Sequence, residues 1–338
     1  MFRSRPVTTA RAAGFARAAG FVIQRGLQIQ RRAREGKHLR ILITALAIFF
    51  VTACAPAATL TPTAKPSVIA TTTQLEDVVT QVAGDRVTVI GLVPRNGDPH
   101  EFEPTPEDVR KVANAQAVFK NGAELEGWLD ELLKNAGGTR PIFDTTQGLA
   151  LHTIDRAFEE GGETDPHVWM SPVLMQGVVN NIAVGLKQID PQGGGVYDAN
   201  ASAYREKLRE LDEWAQQQIA TIPPAQRKLV TAHDALGYFA TQYGFEIVGY
   251  VISSVSTEGS GASAQQLAAL EDQIKRAGVK IIFAERSANP KFIDQVAADT
   301  NVAVGELYVD SLGDVGGEAG TYIDFFRADV TRIVSGLK

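Results

Sequence analysis

From about residue 68 onward the chain alternates short apolar runs with longer amphipathic stretches. Runs at 87–92, 115–120, 228–232, 246–250, 279–284 and 303–308 are five or six residues long and read as strands. The segments between them carry helix start signals. Thr105-Pro106-Glu107-Asp108 offers an N-cap, a proline in the first turn and acids at the positive end of the helix dipole. Ser171-Pro172 and Asn289-Pro290 repeat the cap-then-proline order, Ser263 with Gln266 fits a capping box, and 234–243 reads as a helix following a strand. Alternation of this kind predicts an α/β fold with largely parallel sheets.

One stretch breaks the alternation. Between 193 and 222 there is no strand candidate, and Tyr197, Ala201, Tyr204, Leu208, Leu211, Ala215 and Ile219 recur every three or four residues, giving one apolar face. Some 25 helical residues would reach about 37 Å, roughly the width of a lobe. Pro223-Pro224 ends the run. Such a helix is either a stiff connector between two α/β halves or a surface helix packed on one of them. Periodicity fits both.

Length and charge narrow the class. At 338 residues the chain exceeds one typical core, so two lobes are expected. The formal net charge of -6 hides an asymmetry. Residues 1–53 hold ten of the 33 basic residues and one acid, Glu35, which leaves 23 basic against 38 acidic residues in the remainder. A body that acidic is a poor partner for nucleic acid, whose affinity rests on Lys and Arg neutralising phosphates.

The basic residues Arg31, Arg32, Arg34, Lys37 and Arg40 precede an apolar run at 41–51, followed by Thr52, Ala53 and Cys54. This order predicts a secretory signal, and the run is about half the roughly 20 residues a spanning helix needs. Val51-Thr52-Ala53-Cys54 looks like a bacterial lipobox, so the chain's one cysteine is expected to carry a lipid anchor rather than to be a buried thiol. Residues 54–67 read as a Pro/Ala/Thr tether. The acid-free residues 1–30 fit either an organellar presequence or a start codon placed too far upstream.

With a single cysteine, neither an intrachain disulfide nor a cysteine metal site is available, so metal chemistry falls to His, Asp and Glu. Of five histidines, His38 lies in the signal and His100, His152, His167 and His233 in the body. Two occur in one tripeptide, Asp98-Pro99-His100 and Asp165-Pro166-His167. Proline fixes its own φ and drives the preceding residue to an extended form, so each histidine stands on a rigid loop and loses little entropy on gripping an ion. His100, His233 and Asp310 all follow candidate strands, where open α/β sheets place their ligand crevice. Three imidazoles and one carboxylate would make a four-coordinate site suited to zinc (Zn2+). Manganese (Mn2+), which favours more oxygen, is the alternative.

His152 reads as a solvated loop residue, and Glu159, Glu160, Glu163 and Asp165 as solvated loop charge that could also draw in cations. Glu285 could accept a hydrogen bond from a ligand histidine or pair with Arg286 or a nearby lysine. Gly259-Ser260-Gly261 lacks the rest of a phosphate loop and reads as a turn.

These residues have a recognisable setting. LVPRNGDPHEFEPTPEDV around His100, TDPHVWMSP around His167, TAHDALGYFATQYGF around His233 and ELYVDSLG around Asp310 resemble the zinc/manganese solute-binding lipoproteins of bacterial ABC transporters. NGAELEGWLDELL at 121–133 and VKIIFAERSANPKF at 279–292 extend the likeness. The resemblance implies two α/β lobes, 68–192 and 223–338, joined by one long rigid helix at 193–222, with the metal held between them by His100, His167, His233 and Asp310. It also implies a monomer anchored outside the cytoplasm that serves a membrane permease. In the family the third ligand is His or Glu, His being more usual for zinc. Unlike many zinc-uptake members, this chain has no long His-rich loop before its second ligand, only the short acidic stretch near 159–165. Two other functions compete. One is a metallohydrolase using the three histidines, with Glu285 as base. The other is a surface adhesin.

Overall fold

The six runs read as strands all form strands, and all pair in parallel. The computed structural model describes residues 65–154, 163–251, 263–287 and 290–338. The signal with His38 and Cys54, most of the tether, Glu159, Glu160, Gly259-Ser260-Gly261 and Asn289 lie outside these residues.

The first sheet has the order β2-β1-β3-β4, built from β1 (Ser67–Ala70), β2 (Thr88–Gly91), β3 (Ala117–Lys120) and β4 (Ile142–Asp144). The second, β10-β9-β7-β8, comprises β7 (Lys228–Thr231), β8 (Glu246–Tyr250), β9 (Ile281–Glu285) and β10 (Ala303–Leu307). A two-residue pair, β5 (Thr153–Ile154) with β6 (Glu163–Thr164), is antiparallel. β1 carries no strand signal for a physical reason. It is central, so Val68, Ile69 and Ala70 are all fully buried and no polar alternation exists to be read.

The helices are α1 (Thr73–Ala83), α2 (Pro106–Asn114), α3 (Leu129–Ala136), α4 (Pro172–Ile189), α5 (Gly194–Ile219), α6 (Gly237–Tyr243), α7 (Ala264–Ala277), α8 (Lys291–Thr300) and α9 (Tyr322–Leu337). Thr105 with Asp108 and Ser263 with Gln266 both form capping boxes, and the Ser171 hydroxyl accepts from the Leu174 N–H. Two starts differ from expectation. α8 begins at Lys291, after Pro290, with no side-chain cap. The helix after His233 begins only at Gly237, because residues 234–236 form a bend and turn first.

α5 runs for 26 residues, and its buried residues are the seven of the periodic stripe. That stripe packs against α1 and α4 of the first half and against α9, which also lies on β10 of the second. α5 therefore connects the two halves and does not lie on one of them. The core follows the same path. One continuous apolar cluster runs from Val68, Val79 and Phe119 through Leu208 and Leu211 to Phe283, Phe325 and Ile333. Each fully buried Leu or Phe in it contributes about 1.5–3 kcal/mol. The outer face of each sheet has its own small cluster, Val112, Val118 and Leu132 in the first half and Leu270, Ile274 and Ile282 in the second. With both faces of both sheets covered, the open positions are the strand ends.

Candidate metal centre

Four side chains from four separate loops meet beyond those strand ends. His100 follows β2, His167 follows β6, His233 follows β7 and Asp310 follows β10. One ligand-type atom from each lies within 4.8 Å of all the others. His167, His233 and Asp310 are buried and His100 is half-buried, so the cluster opens to solvent past His100.

Each histidine is locked from behind. In the first tripeptide the Asp98 carboxylate accepts the His100 backbone N–H (2.7 Å), and the Trp128 indole donates to the Pro99 carbonyl (2.8 Å). In the second, Asp165 Oδ1 accepts both the backbone N–H of His167 (3.0 Å) and its ring Nδ1–H (2.7 Å). The Asn121 amide donates to the Pro166 carbonyl at 3.0 Å. For His233, Glu285 Oε1 accepts the backbone N–H (3.2 Å) and Oε2 the ring Nδ1–H (2.6 Å). Of the alternative partners for Glu285, Arg286 pairs with Glu306 instead. Nor does Glu285 face an open position as a base would, because both its oxygens are turned to His233.

With Nδ1–H given to carboxylates, Nε2 of His167 and of His233 faces inward, and in a neutral ring that atom is a lone pair free to bind a cation. They face each other at 3.1 Å, and His100 Nε2 stands 3.2 Å from His167 Nε2. Asp310 places Oδ2 3.6 Å from His233 Nε2 and Oδ1 4.0 Å from His167 Nε2. A tetrahedral ion with bonds of about 2.0–2.1 Å separates its ligand atoms by about 3.3–3.4 Å, a value within the range of these spacings.

Burial, then the imidazoles of His167 and His233, push the pKa of His100 well below the ordinary histidine value. Burial and then His233 do the same to His167. Burial also favours a neutral His233, but the carboxylates of Glu285 and Asp310 outweigh it and hold that ring well above the ordinary value. Without a bound cation, the cluster therefore keeps its proton on His233. Burial raises Asp165 to about 7.

Two expectations are corrected. His152 is not a free solvated residue: its ring stacks on Tyr238 with centroids 4.4 Å apart, and its N–H donates to the Tyr238 hydroxyl at 3.0 Å. It lines a cleft of roughly 370 Å³ together with Asp165 and Asp234, outside the four-residue cluster. Asp165 is likewise not solvated loop charge, being only 2% exposed and bonded to His167. The repeated tripeptide held the signal for it, since Asp two residues before His accepts the backbone N–H in both copies.

The family described as zinc-uptake complex component A, periplasmic, matches residues 68–336. The chain belongs to this family. The manganese-binding lipoprotein MntA of Halalkalibacterium halodurans is 36% identical over 265 residues, 78% of this chain and 85% of the relative. The periplasmic zinc-binding protein TroA from Treponema pallidum superposes with a TM-score of 0.74 at 30% identity, covering 81% of this chain and 99% of that one. A manganese-bound periplasmic metal-binding protein from candidatus Liberibacter asiaticus gives a TM-score of 0.72 at 30% identity, covering 81% and 100%. The component A fold is thus the one described above, two parallel α/β sheets and one long helix. No helix among the described residues is long and apolar enough to cross a membrane.

Proposed function

We propose that this chain captures a divalent transition metal outside the cytoplasm, zinc by preference, and delivers it to the membrane permease of an ABC transporter. The supporting observation is the close approach of two inward-facing Nε2 atoms, those of His167 and His233, 3.1 Å apart with a third imidazole and a carboxylate beside them. Such atoms repel unless a proton or a cation lies between them. In this reading His100, His167, His233 and Asp310 are the ligands, and Asp310 reduces the ion's charge from +2 to +1. The set is closed at four, which leaves no position for an activated water and supports binding rather than catalysis. Acylated Cys54 would hold the monomer at the membrane.

Three imidazoles with one carboxylate suit zinc, whereas manganese draws more oxygen. Manganese is the second reading, supported by the description of the MntA relative as manganese-binding. Affinity alone does not separate them, because nearly any nitrogen-rich site binds zinc more tightly than manganese. Uptake does. Deleting the gene is expected to abolish high-affinity uptake of radioactive zinc and to leave manganese uptake and surface attachment unchanged. Loss of manganese uptake with zinc untouched would transfer the cargo to manganese.

A further inference from the structure

Asp310 is presented by a backbone turn that is not comfortable on its own. The residue before it, Val309, is β-branched yet sits at φ 47°, in the left-handed region that such side chains avoid. The Asp310 N–H donates back to the Tyr308 carbonyl at 2.7 Å, closing a three-residue turn of the rarer, strained hand. Left alone, Val309 would rotate out of this conformation and carry the Asp310 carboxylate with it.

Two groups from distant parts of the chain hold it in place. Asp329, on α9 and 1% exposed, accepts the N–H of Tyr308 at Oδ1 (2.9 Å) and the N–H of Val309 at Oδ2 (3.1 Å). On the other side of the same residue, the Trp169 indole N–H donates to the Val309 carbonyl at 2.8 Å. Trp169 lies two residues past His167, and its own carbonyl accepts from the Tyr322 hydroxyl of α9 at 2.7 Å. Both polar groups of Val309 are thus gripped, one from α9 and one from the His167 segment.

We infer that Asp329 is a positioning residue for metal capture, clamping the left-handed turn at Val309 that aims Asp310 at the three imidazoles. Trp169 is the second jaw of this clamp. The inference rests on the reading of Asp310 as a ligand, and the test separates the two.

Zinc affinity is measured by chelator competition, with thermal melts of the metal-free protein alongside. Asp329→Asn sets an amide NH2 against one of the two N–H donors. It is expected to lower affinity by about tenfold or more, the range for groups that orient a ligand. Trp169→Phe keeps an aromatic ring but removes the indole donor, and is expected to act in the same direction. The decisive variant is Asp329→Asn with Val309→Gly. Glycine adopts the left-handed conformation without penalty, so the turn no longer needs its clamp and the double variant should regain about threefold or more of the lost affinity. A merely structural role for Asp329 would show no such rescue, since a more flexible backbone only loosens a damaged fold. Wild-type affinity in Asp329→Asn and Trp169→Phe, or no rescue by glycine, overturns the inference. If Asp310→Ala itself binds like wild type, the ligand reading fails instead. If Asp310→Ala loses affinity, adding Asp329→Asn should lower it no further.

Discussion

Replacing His233 with alanine is expected to lower zinc affinity by on the order of a hundredfold or more, roughly 2.7 kcal/mol. Groups that only orient a ligand are worth 10–100-fold, and a direct ligand exceeds them. His233 is also the hub of the cluster: its Nε2 lies 3.1 Å from His167 Nε2 and 3.6 Å from the Asp310 carboxylate. A second effect follows from burial. Glu285 loses the ring that its Oε2 binds, in a site where His233 is 1% and Glu285 5% exposed. Leaving a buried polar group without that partner costs about 1–3 kcal/mol, so the metal-free protein should melt earlier as well. Competition titration and thermal melts read both effects. An unchanged titration would remove His233 from the ligand set and with it the geometry of the site.

The second large effect is in pH. The carboxylates of Glu285 and Asp310 keep a proton on His233 in the metal-free protein, and a metal ligand must give that proton up. Metal binding should therefore release about one proton near neutrality, and affinity should rise about tenfold per pH unit until His233 is itself neutral. Calorimetry in buffers of different ionisation enthalpy measures the released proton directly. In Glu285→Gln the carboxylate that holds it is gone, so the release and the pH slope should both shrink. A buffer-independent enthalpy in the wild-type protein would contradict the assignment.

The same groups should contribute to the pH dependence of the metal-free protein's stability. His233 titrates above the ordinary value in the fold, so its contribution is full below about 6.5 and is lost as pH rises through its folded pKa. His100 and His167 titrate below it, so theirs is present above about 6.5 and lost as pH falls toward their folded pKa values. Stability should thus decline on both sides of the histidine range, and zinc should flatten the alkaline side.

What could be read from the sequence follows from how local each signal is. The stripe from Tyr197 to Ile219 is written in spacings of three and four, and the structure buries those seven residues of α5. The capping boxes at Thr105 and Ser263 are likewise complete within four residues. β1 was beyond pattern reading because a strand buried on both faces has no polar side to mark it. At the four-residue cluster the repeated tripeptide marks His100 and His167 and carries the Asp that turns each backbone, but only the fold shows that Asp165 also binds the His167 ring. Asp329 and Trp169 gave no signal at all. They meet Val309 across 20 and 140 residues of chain, and contacts of that range leave no local trace.

The most direct measurement is a crystal structure of the mature protein loaded with one equivalent of zinc. A single ion should lie within about 2.0–2.2 Å of Nε2 on His100, His167 and His233 and of one Asp310 oxygen, with Asp165 and Glu285 still bonded to the Nδ1 atoms. An ion held elsewhere, or one that leaves any two of these four side chains uncoordinated, would contradict the account.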